Sequence, residues 1–175
     1  MTLRAILLSV WLCAVVLLLW LQQQSVVMAF DPANTLTEQV DAVHDALRPL
    51  AGDETITAIH ISSSDCPCDD VSKRHRRSVM QTVTRRHGSN VLINDSTPEF
   101  SQIARLLPAL PAIAIFHGDN LTYLGPYATG ANCLPGKGLA EPWLRSRNDL
   151  ISDYGTLPTV IPSDAMGCYC TTPEV

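Results

Sequence analysis

Hydrophobic and polar positions divide the chain into one long apolar block followed by short, alternating segments. From Ala5 to Leu21 apolar residues run almost unbroken for 17 positions, with Ser9 and Cys13 as mild exceptions. After Phe30-Asp31-Pro32, a capping Thr35 or Thr37 precedes Leu36, Val40, Val43 and Leu47 at helical spacing, and Pro49 and Gly52 close that helix. Thr55 to Ser62 is short and β-branched, a strand. A helix is predicted from Pro67 to about His87, with Val71, His75, Val79 and Val83 on one face and Gly88 ending it. Val91 to Asn94 reads as a second strand and Pro98 to Leu107 as a short helix. Pro111 opens the apolar strand Ala112 to Phe116, which turns at Gly118-Asp119-Asn120 into a partner strand, Leu121 to Leu124. Gly125 to Gly138 is a glycine- and proline-rich loop, and Leu139 to Leu150 is predicted helical with Pro142 in its first turn. From Tyr154 onward no period is visible. The order α-β-α-β-α-β-β-α predicts one α/β domain, a mixed sheet flanked by helices.

Composition sharpens this picture at the N-terminus. Hydrophobic residues make up 46% of the chain and charged ones 17%, and the apolar excess sits in 26 charge-free residues from Ala5 to Phe30. The 17-residue core of that block would reach roughly 26 Å as a helix, and the residues from Gln22 to Val27 can lengthen it. Arg4 before it and Asp31 after it place the N-terminus on the cytoplasmic side. Trp11 and Trp20 suit a membrane setting. The competing reading is a cleaved signal segment with Val27-Met28-Ala29 as its small-residue site. Both readings export everything from Phe30 onward. The chain therefore divides into residues 1–29 as anchor or signal, 30–153 as the α/β domain, and 154–175 as an irregular tail. The net charge is −5, and beyond Arg4 there are 11 basic against 17 acidic residues. That balance, with 6% aromatics, argues against a nucleic-acid partner.

Export decides how the cysteines are read. Cys13 lies in the apolar block and reads as an inert small residue. Cys66, Cys68, Cys133, Cys168 and Cys170 face an oxidising compartment, where disulfides persist. Two pairs, Cys66-Pro67-Cys68 and Cys168-Tyr169-Cys170, place sulfurs one residue apart. Cys66 stands at the mouth of a predicted helix, where the dipole and free amides stabilise a thiolate. The neighbouring Asp65 opposes that effect.

A strand, a polar turn, a cysteine pair at a helix mouth, then β-α and a proline opening a hairpin together resemble the thioredoxin-like superfamily. In that superfamily the proline is cis and faces the redox cysteines. Pro111, preceded by Leu110 and 43 residues beyond Cys68, is the matching position. The similarity covers Thr55 to Leu150 and looks like a membrane-anchored bacterial branch. It implies a thiol-disulfide oxidoreductase on the outer face of a bacterial inner membrane. Such a protein would exchange disulfides with exported proteins and need no cofactor. Cys66 would be the nucleophile, Cys68 the resolving thiol, and Pro111 with the Leu110 backbone the guide for the partner. The superfamily's redox motif has two residues between its cysteines, whereas here only Pro67 intervenes. A bridge between i and i+2 would close a small, easily reduced ring, suited to disulfide donation or isomerisation.

Other readings compete. The cysteines and a nearby His87 or His117 could form a thiolate site for copper or zinc, or the domain could be a non-catalytic interaction module. Cys66 and Cys68 could equally be a structural staple, and Pro111 an ordinary trans residue. His60 and His75 read as packing residues. The basic group Lys73, Arg74, Arg76, Arg77, Arg85 and Arg86 reads as a solvated helix face, or as a surface for anionic headgroups. Gly130 to Gly138 with Lys137 lacks the spacing of a phosphate loop, and Asn120-Leu121-Thr122 fits a glycosylation sequon. For the tail, Cys133 is expected to pair with Cys168 or Cys170 and tie it over the loop.

Overall fold

A strand apolar on both sides must be covered on both sides, and Thr57–Ile61 is buried at all five positions. In the computed structural model, which describes residues 3–24, 27–52, 55–130 and 138–172, this segment is β2, in the middle of a four-stranded mixed sheet. β3 (Ser89–Ile93) pairs with it in parallel. On its other side β5 (Ala112–His117) runs antiparallel, followed by β6 (Asn120–Gly125), giving the order β3-β2-β5-β6. Alternation along the strands splits the core in two. Ile59, Ile61, Ala114 and Phe116 face α2 (Thr35–Ala51) and α4 (Phe100–Ala104). Ala58, Ile113 and Ile115 face α3 (Pro67–Arg85) and Trp143. Full burial of each large aliphatic or aromatic side chain here contributes about 1.5–3 kcal/mol.

The helix ends depart from the expected pattern in instructive ways. Thr35 is the first residue of α2, and the cap comes from Asp31, whose carboxylate accepts bonds from the Thr35 N–H, the Thr35 hydroxyl and the Leu36 N–H, each at 2.9 Å. Pro49 lies inside α2 instead of ending it. The helix expected over Leu139 to Leu150 is interrupted. Glu141–Leu144 is a short 3-10 turn, Arg145 and Ser146 are extended, and α5 (Arg147–Tyr154) starts afresh with the Ser146 hydroxyl accepting from the Asp149 N–H. The sheet is therefore flanked by helices as expected, with one of them split.

At the N-terminus α1 spans Leu3–Gln24, a helix of 22 residues. The expectation of a membrane-spanning helix needs correction: among the described residues no helix is long and apolar enough to cross a membrane. The helix is 22 residues long, and the physical reason is how far its apolar character extends. The unbroken apolar run covers roughly 26 Å against a hydrocarbon core of about 30 Å, and the turn that would extend it is Gln22-Gln23-Gln24. Leu7, Leu8, Trp11, Leu12, Leu18 and Leu19 nonetheless stay more than half exposed.

The segment expected to be irregular is paired backbone. β7 (Met166–Cys168) runs antiparallel to β1 (Val27–Ala29), and β8 (Cys170–Thr171) runs antiparallel to β4 (Ala109–Leu110). Upstream, the Val160 and Leu124 amides donate to the Thr122 and Val160 carbonyls, respectively, lashing the segment to β6. The C-terminal stretch is thus part of the domain.

Candidate functional site

The polar turn after β2 delivers the first cysteine to the mouth of α3. Cys66 has extended backbone angles, φ −93° and ψ 110°, and occupies the N-cap, with Pro67 opening the helix. Its carbonyl accepts from the Asp69 N–H at 2.9 Å, and its own N–H donates to Ser63 at 3.2 Å. The turn is held from outside by Asp95, which accepts from the Ser64 hydroxyl at 2.7 Å. One turn into the helix, Asp69 forms an ion pair with Arg76 at 2.5 Å, with both side chains 12% exposed. Cys66 and Cys68 are buried.

Opposite them lies the residue that the resemblance singled out. The Leu110–Pro111 peptide bond is cis, and the Leu110 carbonyl oxygen stands 3.6 Å from Cys66 Sγ. Pro111 joins β4 to β5, so the same backbone that presents this carbonyl also presents the edge on which β8 lies. In register, Leu110 faces Cys170.

The cysteine pairing differs from both expectations. Cys66 is bonded to Cys170 and Cys68 to Cys168, with Cα–Cα separations of 5.8 and 5.4 Å. The anticipated Cys66–Cys68 bridge is absent from this arrangement, and neither Cys168 nor Cys170 is left for Cys133, which lies outside the described residues. The cause is strand geometry. Residues i and i+2 of an extended segment point to one side, so Cys168 and Cys170 present both sulfurs together to the helix mouth. The residue between them points the other way. Tyr169 is buried at the opposite face, donates its hydroxyl to the Ala128 carbonyl at 3.0 Å and meets Phe30 edge-on with ring centroids 5.3 Å apart. Two Cys-x-Cys motifs with identical spacing were the available signal for this double bridge.

The two bridges are not equivalent. A cavity of about 540 Å³ opens beside the site, lined among others by Asp65, Cys66, Asp95, Phe100, Leu110 and Cys170. Cys68 and Cys168 are not among its walls, whereas Cys66, equally buried, is. Cys170 is only half-buried. A small thiol entering the cavity therefore meets the Cys66–Cys170 bond first.

The remaining candidates fall outside this site. His60 is buried in β2, with Nδ1 2.7 Å from the Tyr127 hydroxyl and Nε2 3.0 Å from Asn90 Oδ1. Burial lowers its pKa to about 4. His75 is buried against Glu141 at 2.5 Å, linking α3 to the 3-10 turn. Gly138 belongs to that contact, because a Cβ there would collide with the His75 ring and the Tyr127 carbonyl. Of the basic group, Arg76 is committed to Asp69 and Lys73 pairs with Asp70, while Arg74, Arg77, Arg85 and Arg86 are exposed. Lys137 lies outside the described residues. Cys66 and Cys68 lie at the mouth of α3, with the Leu110 carbonyl that precedes Pro111 beside Cys66; that Cys168 and Cys170 complete the same cluster was missed.

A family model described as a domain of unknown function (DUF6436) matches residues 35–172, a span that includes all four paired cysteines and Pro111. No curated protein and no solved structure matches the chain.

Proposed function

The chain belongs to the DUF6436 family, and from that premise we propose that it is a thiol-disulfide oxidoreductase of thioredoxin-like fold, acting on exported proteins through the Cys66–Cys170 bond. One observation carries the reading: Cys66 caps α3 beside the Leu110 carbonyl, and its disulfide borders an open cavity. In the oxidising direction, a client thiolate attacks Cys66 Sγ, a client–Cys66 bond forms, and the Cys66–Cys170 bond breaks with Cys170 leaving as thiolate. A second client thiolate then attacks the client sulfur and releases Cys66. The client loses two electrons and two protons, and the protein gains a dithiol. The helix N-terminus favours both the leaving of Cys66 and its thiolate form. Cys170 takes the resolving role first expected of Cys68, and Cys68–Cys168 is the staple that keeps Cys170 in reach.

Paired cysteines of this kind persist where the environment is oxidising, which supports an exported domain on the outer face of a bacterial inner membrane. The exposed apolar side chains of α1 support a tether there. Cleavage after Ala29 would remove β1 and its pairing with β7, so the reading keeps the N-terminal segment attached. Fractionation should leave the full chain with membranes after a high-salt wash, and recovery in the soluble fraction would count against the tether.

Stepwise reduction tests the assignment of the redox bond. Under native conditions and graded dithiol, alkylation with peptide mapping should label Cys66 and Cys170 first, with Cys68 and Cys168 labelled only after unfolding. Simultaneous labelling of all four would remove the distinction on which the proposal stands. A second reading is favoured by one observation: the sulfurs of Cys66, Cys68 and Cys170 all lie within 4.8 Å of one another, so the reduced cluster could hold copper or zinc. On that reading, thiols of the reduced protein stay protected until a chelator is added.

A further inference from the structure

A client joined to Cys66 would lie beside the β4 edge, and with Cys66–Cys170 closed that edge is occupied by the chain itself. Cys170 lies opposite Leu110 and Thr171 opposite Ala109. Thr172 continues the contact, its N–H donating to the Pro108 carbonyl at 3.3 Å and its hydroxyl donating to the Leu107 carbonyl. Thr171 and Thr172 also wall the cavity beside Cys66, together with Phe100 and Ala104. We propose that β8 is an internal stand-in for a client. The β4 edge from Leu107 to Leu110 would be a docking strand for an extended segment in which a cysteine is followed two residues later by threonine or serine, and this edge is freed when Cys66–Cys170 opens.

This rests on the proposed exchange at Cys66 and adds which partner chemistry the site takes. Three features support it. The occupant's cysteine is already bonded to Cys66, the arrangement a captured client would have. Main-chain pairing to a free sheet edge is sequence-tolerant, while the Leu107 carbonyl selects a hydroxyl at the second position after the cysteine. The attachment is also short and separable. Tyr169 is fixed in the core and Cys168 is bonded to Cys68, so opening one disulfide frees only the residues beyond Tyr169. Releasing two paired residues and Thr172 is a local event, not an unfolding of the domain.

The test uses the full chain carrying Cys170→Ser, and in parallel the unmodified chain after mild reduction, so that misfolding of one does not decide the outcome. The probe is a peptide copying residues 170–175, with its cysteine joined to a small aromatic thiol. Cys66 thiolate attacks the peptide sulfur, the peptide–Cys66 bond forms, and the aromatic thiolate leaves and is read by absorbance. The matching peptide should react about tenfold faster than one with valine in place of the second threonine, and faster still than a permuted peptide. Amide exchange across residues 107–110 should rise in Cys170→Ser and fall again once the matching peptide is attached. Equal rates for all three peptides would overturn the docking strand while leaving exchange at Cys66 standing. Reaction of the oxidised unmodified chain as fast as Cys170→Ser would overturn the stand-in role. No adduct at Cys66 with any peptide, nor with a small aromatic disulfide, would remove the exchange reading itself and this inference with it.

Discussion

Cys66→Ser is expected to lower disulfide exchange by about a hundredfold or more, because a hydroxyl is not ionised near neutral pH and cannot replace a thiolate nucleophile. The substitution leaves the N-cap geometry of α3 in place, since serine caps helices well. Cys170→Ser should behave differently: Cys66 remains able to attack, nothing resolves the product, and mixed disulfides with clients accumulate. Removing the other bridge with Cys68→Ala and Cys168→Ala together should cost stability and, with the nucleophile intact and Cys170 less firmly held, slow exchange far less than Cys66→Ser does. The two bridges span 104 and 100 residues and close nearly the same loop. In the chain-entropy model the first such closure is worth about 5 kcal/mol and a second beside it only roughly 2 kcal/mol. Denaturant titration beside a disulfide-reduction assay separates the two effects. An unchanged rate for Cys66→Ser, or loss of exchange in the Cys68→Ala, Cys168→Ala protein while it stays folded, would show that the roles are misassigned.

The contrast between these cysteines marks where the sequence was legible. The mouth of α3 could be read directly, because Cys66, Pro67 and the acidic Asp69 and Asp70 are local signals for a helix start. The four sheet strands were readable for the same kind of reason, each being an apolar or β-branched run bounded by turn residues. The cap of α2 was misplaced because Asp31 reaches it across an intervening turn, a bond no local pattern encodes. The break at Arg145 and Ser146 was missed because apolar spacing continues through it from Trp143 and Leu144 to Leu150. Strands β7 and β8 are three and two residues long, too short to display a period of two. Their position depends on partners 60 to 141 residues away in the chain, and so does the cysteine pairing. Local propensity carried the scaffold, and long-range pairing completed the site.

Acidification should destabilise the domain by about 3 kcal/mol between pH 6.5 and pH 4 through His60 alone, taking 1.36 kcal/mol per unit of pKa difference. The Asn90 amide donates to Met80 and Thr84, which leaves its oxygen to accept from the Nε2–H of His60. Nδ1 then accepts from the Tyr127 hydroxyl, whose own pKa is raised by burial and which stays a donor. The neutral ring is therefore satisfied at both nitrogens, and a proton would have to displace the Tyr127 bond in a buried site. In the unfolded chain His60 takes up that proton near its ordinary value of 6.5, and in the folded chain only near 4. Stability is complete above the first value and declines as pH falls toward the second. Urea titrations at pH 7, 6, 5 and 4 should show this slope, and His60→Gln should lose much of it between pH 6.5 and 5, above the range where ordinary carboxylates titrate. Parallel pH profiles for the two proteins would rule His60 out as the source. The consequence reaches the site, because His60 sits in β2, the strand that leads into the turn holding Cys66. Loosening near the end of that strand should slow exchange at acid pH beyond what thiol protonation explains, an excess that His60→Gln should reduce.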